Sequence, residues 1–120
     1  MHEGSCHCGA VRITLPATPA VATDCNCSLC RRIGGPWVYF EFGSVKIEAE
    51  PDALVAYCQG DRTLRTMHCR TCGCVTHWEP VKPEPGGKHG VNLGNFDPAL
   101  IAAVRVRRFD GADTWRFLDE

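Results

Sequence analysis

The stretch DCNCSLCRR, residues 24–32, places Cys25, Cys27 and Cys30 within six residues as a C-x-C-x-x-C run. Thiolates this close repel one another as anions and crowd one another as thiols. A borderline-soft divalent cation relieves both, and zinc is the usual one in a sulfur-rich site. The run offers three ligands where tetrahedral zinc takes four. Whether a fourth protein ligand exists decides the functional question, because a structural zinc is closed and a catalytic one keeps a position open.

At 120 residues the chain reads as one domain, 1–120, with a modest core. Apolar residues make up 44 % and charged ones 22 %, as in ordinary globular chains. Net charge is −1 with no basic run, which argues against a phosphate-backbone footprint and hence against nucleic acid as partner. The longest apolar run, Ala99 to Val104, is too short to cross a bilayer, so no membrane partner is expected. The opening MHEGSCHCG carries no hydrophobic signal segment, and a cytoplasmic location is expected. Nothing in the pattern sets an oligomeric state. Nine cysteines are too many to ignore and odd in number. Their close spacing suits chelation better than disulfides.

Along the chain, GSCHCG (4–9) brings Cys6 and Cys8 with a glycine directly behind. Such a glycine lets the backbone turn with positive φ and aim amide N–H groups at sulfur. AVRITL (10–15) alternates as a half-buried strand, and Pro16 and Pro19 open a loop that runs to Asp24. One helical turn over Cys25 to Arg32 stops at Gly34, Gly35 and Pro36. Trp37 to Phe42 reads as a central strand. Shorter strands follow at Ser44 to Glu48 and Leu54 to Cys58, with Pro51-Asp52 as the turn between them, and then at Thr63 to Met67. HCRTCGC (68–74) holds a zinc knuckle, Cys69-x-x-Cys72-Gly73. Val75 to Glu79 continues as strand, and residues 80–90 read as an irregular loop. Val91 to Gly94 is a short strand, Asp97-Pro98 starts a brief helix, and Val104 to Phe109 is the last strand. Asp110-Gly111 then turns into a final segment around Trp115 and Phe117. Short strands at this spacing predict a mainly β fold.

The simplest partition gives Cys6, Cys8, Cys69 and Cys72 a closed site that ties the first strand to the middle of the chain. Cys25, Cys27 and Cys30 make a second site, and Cys58 and Cys74 remain as free, buried thiols. Spacing alone leaves open that Cys58, Cys74 or a histidine closes the second site. It also leaves open a single ion shared by the two C-x-C groups.

GSCHCGAVRI (4–13), CNCSLCRR (25–32), HCRTCGC (68–74) and NLGNFDPALI…RRFDGADTW (92–101 and 107–115) resemble the glutathione-dependent formaldehyde-activating enzyme / centromere protein V family. The motifs fall in the family's order and span nearly the whole chain. The resemblance implies a β-tent of twisted antiparallel sheets with zinc at its seams, and two zinc ions per chain. It implies a structural zinc on Cys6, Cys8, Cys69 and Cys72, and a second, reactive zinc on Cys25, Cys27 and Cys30. It also implies carbon–sulfur lyase chemistry: formation or breakdown of an S-hydroxymethyl thiol from formaldehyde and glutathione, with a thiol–aldehyde adduct as small-molecule partner.

Two other readings stand beside this one: a non-catalytic, zinc-stabilised protein-binding module of the same fold, and a chromatin binder, which the missing basic extension disfavours. Arg31, Arg32 and Arg70 are adjacent to ligands and suited to offset the site's negative charge or bind a substrate carboxylate. His68 and His77 are candidates for proton transfer, although a lone histidine is more often a hydrogen-bonded core or surface residue. His7 is expected to face solvent, and His2 and His89 are expected to lie in mobile segments with no role. Trp37, Tyr39 and Phe40 are expected in the core.

Overall fold

Alternating and β-branched segments assemble into two sheets in the computed structural model, which describes residues 2–118. A small sheet takes the order β1–β2–β5, from β1 (His2–Ser5), β2 (Arg12–Leu15) and β5 (Lys46–Glu48). A seven-stranded sheet adds β3 (Val21–Cys25), β4 (Trp37–Glu41), β6 (Leu54–Tyr57), β7 (Leu64–Cys69), β8 (Val75–Pro80), β9 (Lys88–Asn92) and β10 (Arg105–Phe109). Its order is β10–β3–β4–β9–β8–β7–β6. Two short helices, α1 (Cys30–Ile33) and α2 (Pro98–Ala103), and a 3-10 turn at Leu93–Asn95 complete the described elements. The pairings are antiparallel except for β10 on β3, which runs parallel with Phe109 opposite Cys25. The architecture is the mainly β one expected, with that one parallel edge added.

Local chemistry explains most boundaries. Asp97 caps α2, its carboxylate accepting from the Ala99 amide at 2.8 Å, with Pro98 at the first helical position. Gly34 ends α1 in the left-handed region and returns its N–H to the Cys30 carbonyl. The core is built from Val11, Ile13, Leu15, Val38, Val91 and Leu93, all fully buried.

Four expectations need correction. The stretch before Asp24 is not a loop throughout: Val21–Cys25 pairs with both β10 and β4, and Ala22 and Thr23 are buried by that pairing. The irregular segment of 80–90 ends early, because Lys88–Asn92 pairs with β4 from Lys88 onward. The Pro51-Asp52 turn joins no hairpin, since β5 and β6 belong to different sheets. His2 and His89 both sit in strands, and His89 is only 4 % exposed. In each case cross-strand partners far along the chain supply the order, and local propensity does not carry that information. Among the described residues, no helix is long and apolar enough to cross a membrane.

The small sheet packs onto the segment after β9. A Cβ on Gly4 would stand 2.6 Å from the Asn95 carbonyl oxygen and 2.7 Å from the Phe96 ring. Gly4→Ala is therefore expected to lower the urea midpoint by the equivalent of about 1–3 kcal/mol, the usual cost of overpacking. An unchanged midpoint would show that β1 can move away freely.

Candidate metal centres and the pocket at the second

The cysteines expected to act together do meet. The sulfurs of Cys6, Cys8, Cys69 and Cys72 lie within 4.8 Å of one another. Cys6 and Cys8 follow β1 of the small sheet, and Cys69 ends β7 of the large one, so this cluster joins the two sheets. The separations are 3.7 Å for Cys6 Sγ to Cys8 Sγ and 3.6 Å for Cys8 Sγ to Cys69 Sγ. Sulfurs about 2.3 Å from a tetrahedral zinc lie about 3.8 Å apart, so the spacing fits the ion. The backbone supports it: Gly9 and Gly73 take φ of 84° and 79°, and the Val11 amide donates to Cys6 Sγ at 3.3 Å. In the knuckle, the Gly73 amide closes on the Cys69 carbonyl at 2.9 Å. The Cys74 and Cys8 amides bring the Cys72 thiol down to about 5.

Cys25, Cys27 and Cys30 also lie within 4.8 Å of one another, at the end of β3, in the following turn and at the start of α1. Among the described residues no fourth histidine, cysteine, aspartate or glutamate joins them at that spacing. Cys58 and Cys74 stand outside both clusters and are half-buried rather than buried. The Cys30 amide donates to Cys27 Sγ at 3.3 Å. Burial, followed by the neighbouring thiols, pushes the Cys30 thiol up, and burial does the same at Cys25. Burial works to raise Cys27 too, but the Cys30 amide and the two neighbouring thiols outweigh it and the net shift is downward. Without a cation, three sulfurs thus favour one negative charge among them, whereas a divalent ion stabilises three thiolates at once. The donor set fits zinc here as well.

This second cluster opens into a cavity of about 290 Å³. Trp37, Tyr39 and Trp78 form the sheet side of that cavity, while Phe109 and Trp115 come from the C-terminal segment. Strand register explains the sheet side. Tyr39 and Trp78 each pair with Gly90, so the three project to one face, and a Cβ at Gly90 would collide with the Trp78 indole. Tyr39 and Trp78 contact each other with ring centroids 6.0 Å apart. The expectation that Tyr39 is core is corrected: it is 39 % exposed on the pocket side. Trp37 is buried as expected, yet it borders the cavity and its indole Nε1 has no partner. Burial, followed by the thiols of the cluster acting against a bond from Thr23, raises the Tyr39 hydroxyl to about 12, so it stays protonated.

From local pattern the C-terminal segment shows only a turn at Asp110-Gly111 and a segment around Trp115 and Phe117, whereas the structure makes it a wall of the site. Gly111 lies so close to the cluster that a Cβ there would stand 2.6 Å from Cys25 Sγ. Asn26 clamps the segment, its amide donating to Asp110 at 3.1 Å and its oxygen accepting from the Ala112 amide at 3.0 Å. Trp115 is 71 % exposed, packs edge-on against Phe109, and adopts φ of 60°, a strained conformation for a bulky residue. The Asp110-Gly111 pair and a tryptophan beyond it were the only local signals.

The other expected participants lie elsewhere. Arg32 donates to the Ser28 carbonyl and Arg70 to the Asp52 carbonyl, and neither they nor Arg31 line the cavity. His7 is exposed, as expected. His68 is half-buried in β7 beside a register shift, and His77 is 2 % exposed on the core face of β8, opposite Trp78. Neither histidine lines the cavity.

Residues 1–109 match the family described as "Glutathione-dependent formaldehyde-activating enzyme". A stretch of 56 residues is 38 % identical to a protein of Halomonas elongata described as "Putative glutathione-dependent formaldehyde-activating enzyme", covering 46 % of this chain and 33 % of that one. The match thus spans about a third of the relative's length. A solved protein of Rhodobacter sphaeroides superimposes with a TM-score of 0.70 at 32 % identity, over 87 % of this chain and 98 % of that chain.

The Asp110 carboxyl is held below its ordinary range by the Thr114 amide, Asn26 and the Thr114 hydroxyl. A depressed folded-state pKa means the clamp stabilises fully above the ordinary carboxylate pKa and is lost as pH falls through the lowered value. The Thr114 amide resonance is accordingly expected to hold its position from neutral pH down past that ordinary pKa and then move on further acidification. In Asp110→Asn this acid-linked step should disappear.

Proposed function

Because the chain belongs to the glutathione-dependent formaldehyde-activating enzyme family, we propose that it forms or breaks a thiol adduct of a small aldehyde at the three-cysteine cluster. This is carbon–sulfur lyase-type chemistry on an S-hydroxymethyl thiol, with glutathione and formaldehyde as the model pair. The observation that carries the reading is the union of a three-sulfur cluster that no fourth ligand joins among the described residues with an aromatic cavity that opens onto it. In this reading Cys25, Cys27 and Cys30 hold a reactive zinc, while Cys6, Cys8, Cys69 and Cys72 hold a structural one.

When bound, zinc at the three-cysteine cluster supplies Lewis acidity that favours the thiolate form of a substrate thiol or polarises an aldehyde oxygen. The reaction forms one C–S bond and breaks the carbonyl π bond. The thiol gives up a proton and the aldehyde oxygen gains one. The chain's own groups orient and donate. The Cys30 amide fixes Cys27 Sγ, and Gly111 sets the distance between the C-terminal segment and Cys25. The Tyr39 hydroxyl is the donor suited to the oxygen that becomes the hydroxymethyl group. Trp78, Phe109 and Trp115 exclude water from the apolar part of the substrate. Thiohemiacetals exchange unaided, so the protein's contribution is to position the two reactants and to stabilise the developing charge.

Exchange between free glutathione and its hydroxymethyl adduct, followed by NMR with and without protein, tests the proposal. Cys27→Ser is expected to abolish the acceleration while keeping the melting transition and binding one zinc fewer per chain than the wild type. Cys69→Ser should lose the cooperative transition itself, because binding at a structural zinc site is folding free energy. If Cys27→Ser unfolds as Cys69→Ser does, both clusters are structural and the non-catalytic reading takes over. Separately, Tyr39→Phe is expected to lower kcat/KM by about 10²-fold, the loss typical of one transition-state donor. An unchanged value would remove Tyr39 from the chemistry.

A further inference from the structure

We propose that His77, Glu79 and His89 form a third metal site, for a first-row divalent transition-metal ion, on the core face of β8 and β9. The proposal goes beyond the reading above and needs neither cysteine cluster. His77 pairs with Val91 and Trp78 with Gly90, so the next step along the ladder sets Glu79 across from His89. His77, Glu79 and His89 therefore project to one face, opposite the cavity face that Trp78 occupies. One potential ligand atom from each residue lies within 4.8 Å of the other two.

Two imidazole nitrogens and a carboxylate oxygen are a donor set that zinc and ferrous iron both accept, with coordination positions left over. The distance between His77 Nε2 and Glu79 Oε2 is 3.8 Å, too long for a hydrogen bond. Two groups each about 2.1 Å from a shared ion lie roughly 3–4 Å apart, so that spacing suits joint ligation. The orientation of His77 is also set. Thr76 Oγ1 donates to the Met67 carbonyl at 3.3 Å and contacts His77 Nδ1 at 2.9 Å. A hydroxyl whose proton is spent on a carbonyl accepts from Nδ1–H, which leaves the Nε2 lone pair directed at Glu79. The other carboxylate oxygen, Oε1, takes the Arg65 guanidinium at 3.3 Å, so Oε2 is the one left for an ion.

His89 is the observation that a plain core histidine does not explain. It is 4 % exposed, its ring meets His77 edge-on with centroids 5.1 Å apart, and neither ring nitrogen has a hydrogen-bond partner. A buried imidazole must carry one N–H and one lone pair, and orphaning such groups costs about 1–3 kcal/mol each. A metal ion satisfies the lone pair. Burial lowers the pKa of both histidines, that of His77 to about 4, so both rings are neutral at physiological pH, as ligands must be. Glu79 remains 26 % exposed and provides the ion's route from solvent.

The test is zinc uptake by the full chain at buffered free zinc, measured by atomic emission, with the imidazole nitrogen resonances followed in parallel. The wild-type chain is expected to take up one equivalent more than either Glu79→Gln or His89→Gln. Cobalt–thiolate absorption from the cysteine clusters should be the same in all three, and a His89 ring-nitrogen resonance should shift on zinc addition. Equal uptake by the wild type and both folded variants overturns the proposal. So does a wild-type His89 ring whose nitrogens do not respond to saturating zinc, a readout that stands even if a variant fails to fold. Neither result touches the thiol–aldehyde reading, which is judged by turnover at Cys27.

Discussion

Four sulfurs from two sheets converge within 4.8 Å, and the rest of the architecture depends on that convergence. Cys6 and Cys8 lie more than sixty residues from Cys69, so closing the cluster is expensive in chain entropy and brings together groups that repel when charged. The backbone prepares for this with positive-φ glycines at 9 and 73 and an amide aimed at Cys6 sulfur. A divalent cation at that point converts the crowding into a cross-link, which is the proposed role of the first zinc. With the small sheet held there, Gly4 rests against Asn95 and Phe96, and the interior between the sheets is sealed by Ile13, Leu15 and Leu93.

The large sheet divides its labour by face. On one side Tyr39 and Trp78 converge over Gly90 and meet the three-cysteine cluster. On the other, Val38 and Val91 join the core, and His77 and His89 sit edge-on among them. The period-two geometry of strands makes this division unavoidable: one residue's shift in register would exchange the aromatic wall for the histidines. Gly90 marks the point where the two roles meet, since only a residue without a side chain leaves room for the Trp78 indole.

How far the sequence could be read follows from how local each signal is. The knuckle at Cys69-x-x-Cys72-Gly73, the Asp97-Pro98 helix start and the Gly34 stop are set by residues within one turn of each other, and each formed where expected. Val21–Cys25 lies behind Pro16 and Pro19 and becomes a strand through partners more than ten residues away, Trp37 on one side and Arg105–Phe109 on the other. His89 follows a proline- and glycine-rich stretch that gives no hint of burial. Its place in the core comes from pairing with Phe40.

The sequence by itself determined that the chain is mainly β, from its short alternating segments, and which cysteines share a turn, because chelating groups two or three residues apart must do so. Which cysteines stay outside, which aromatic rings face the three-sulfur cluster, and that the segment from Phe109 to Trp115 walls it were decided by the tertiary structure. The physical reason is that strand register and sheet order set the face each side chain occupies. Both depend on hydrogen bonds between segments that share no local pattern.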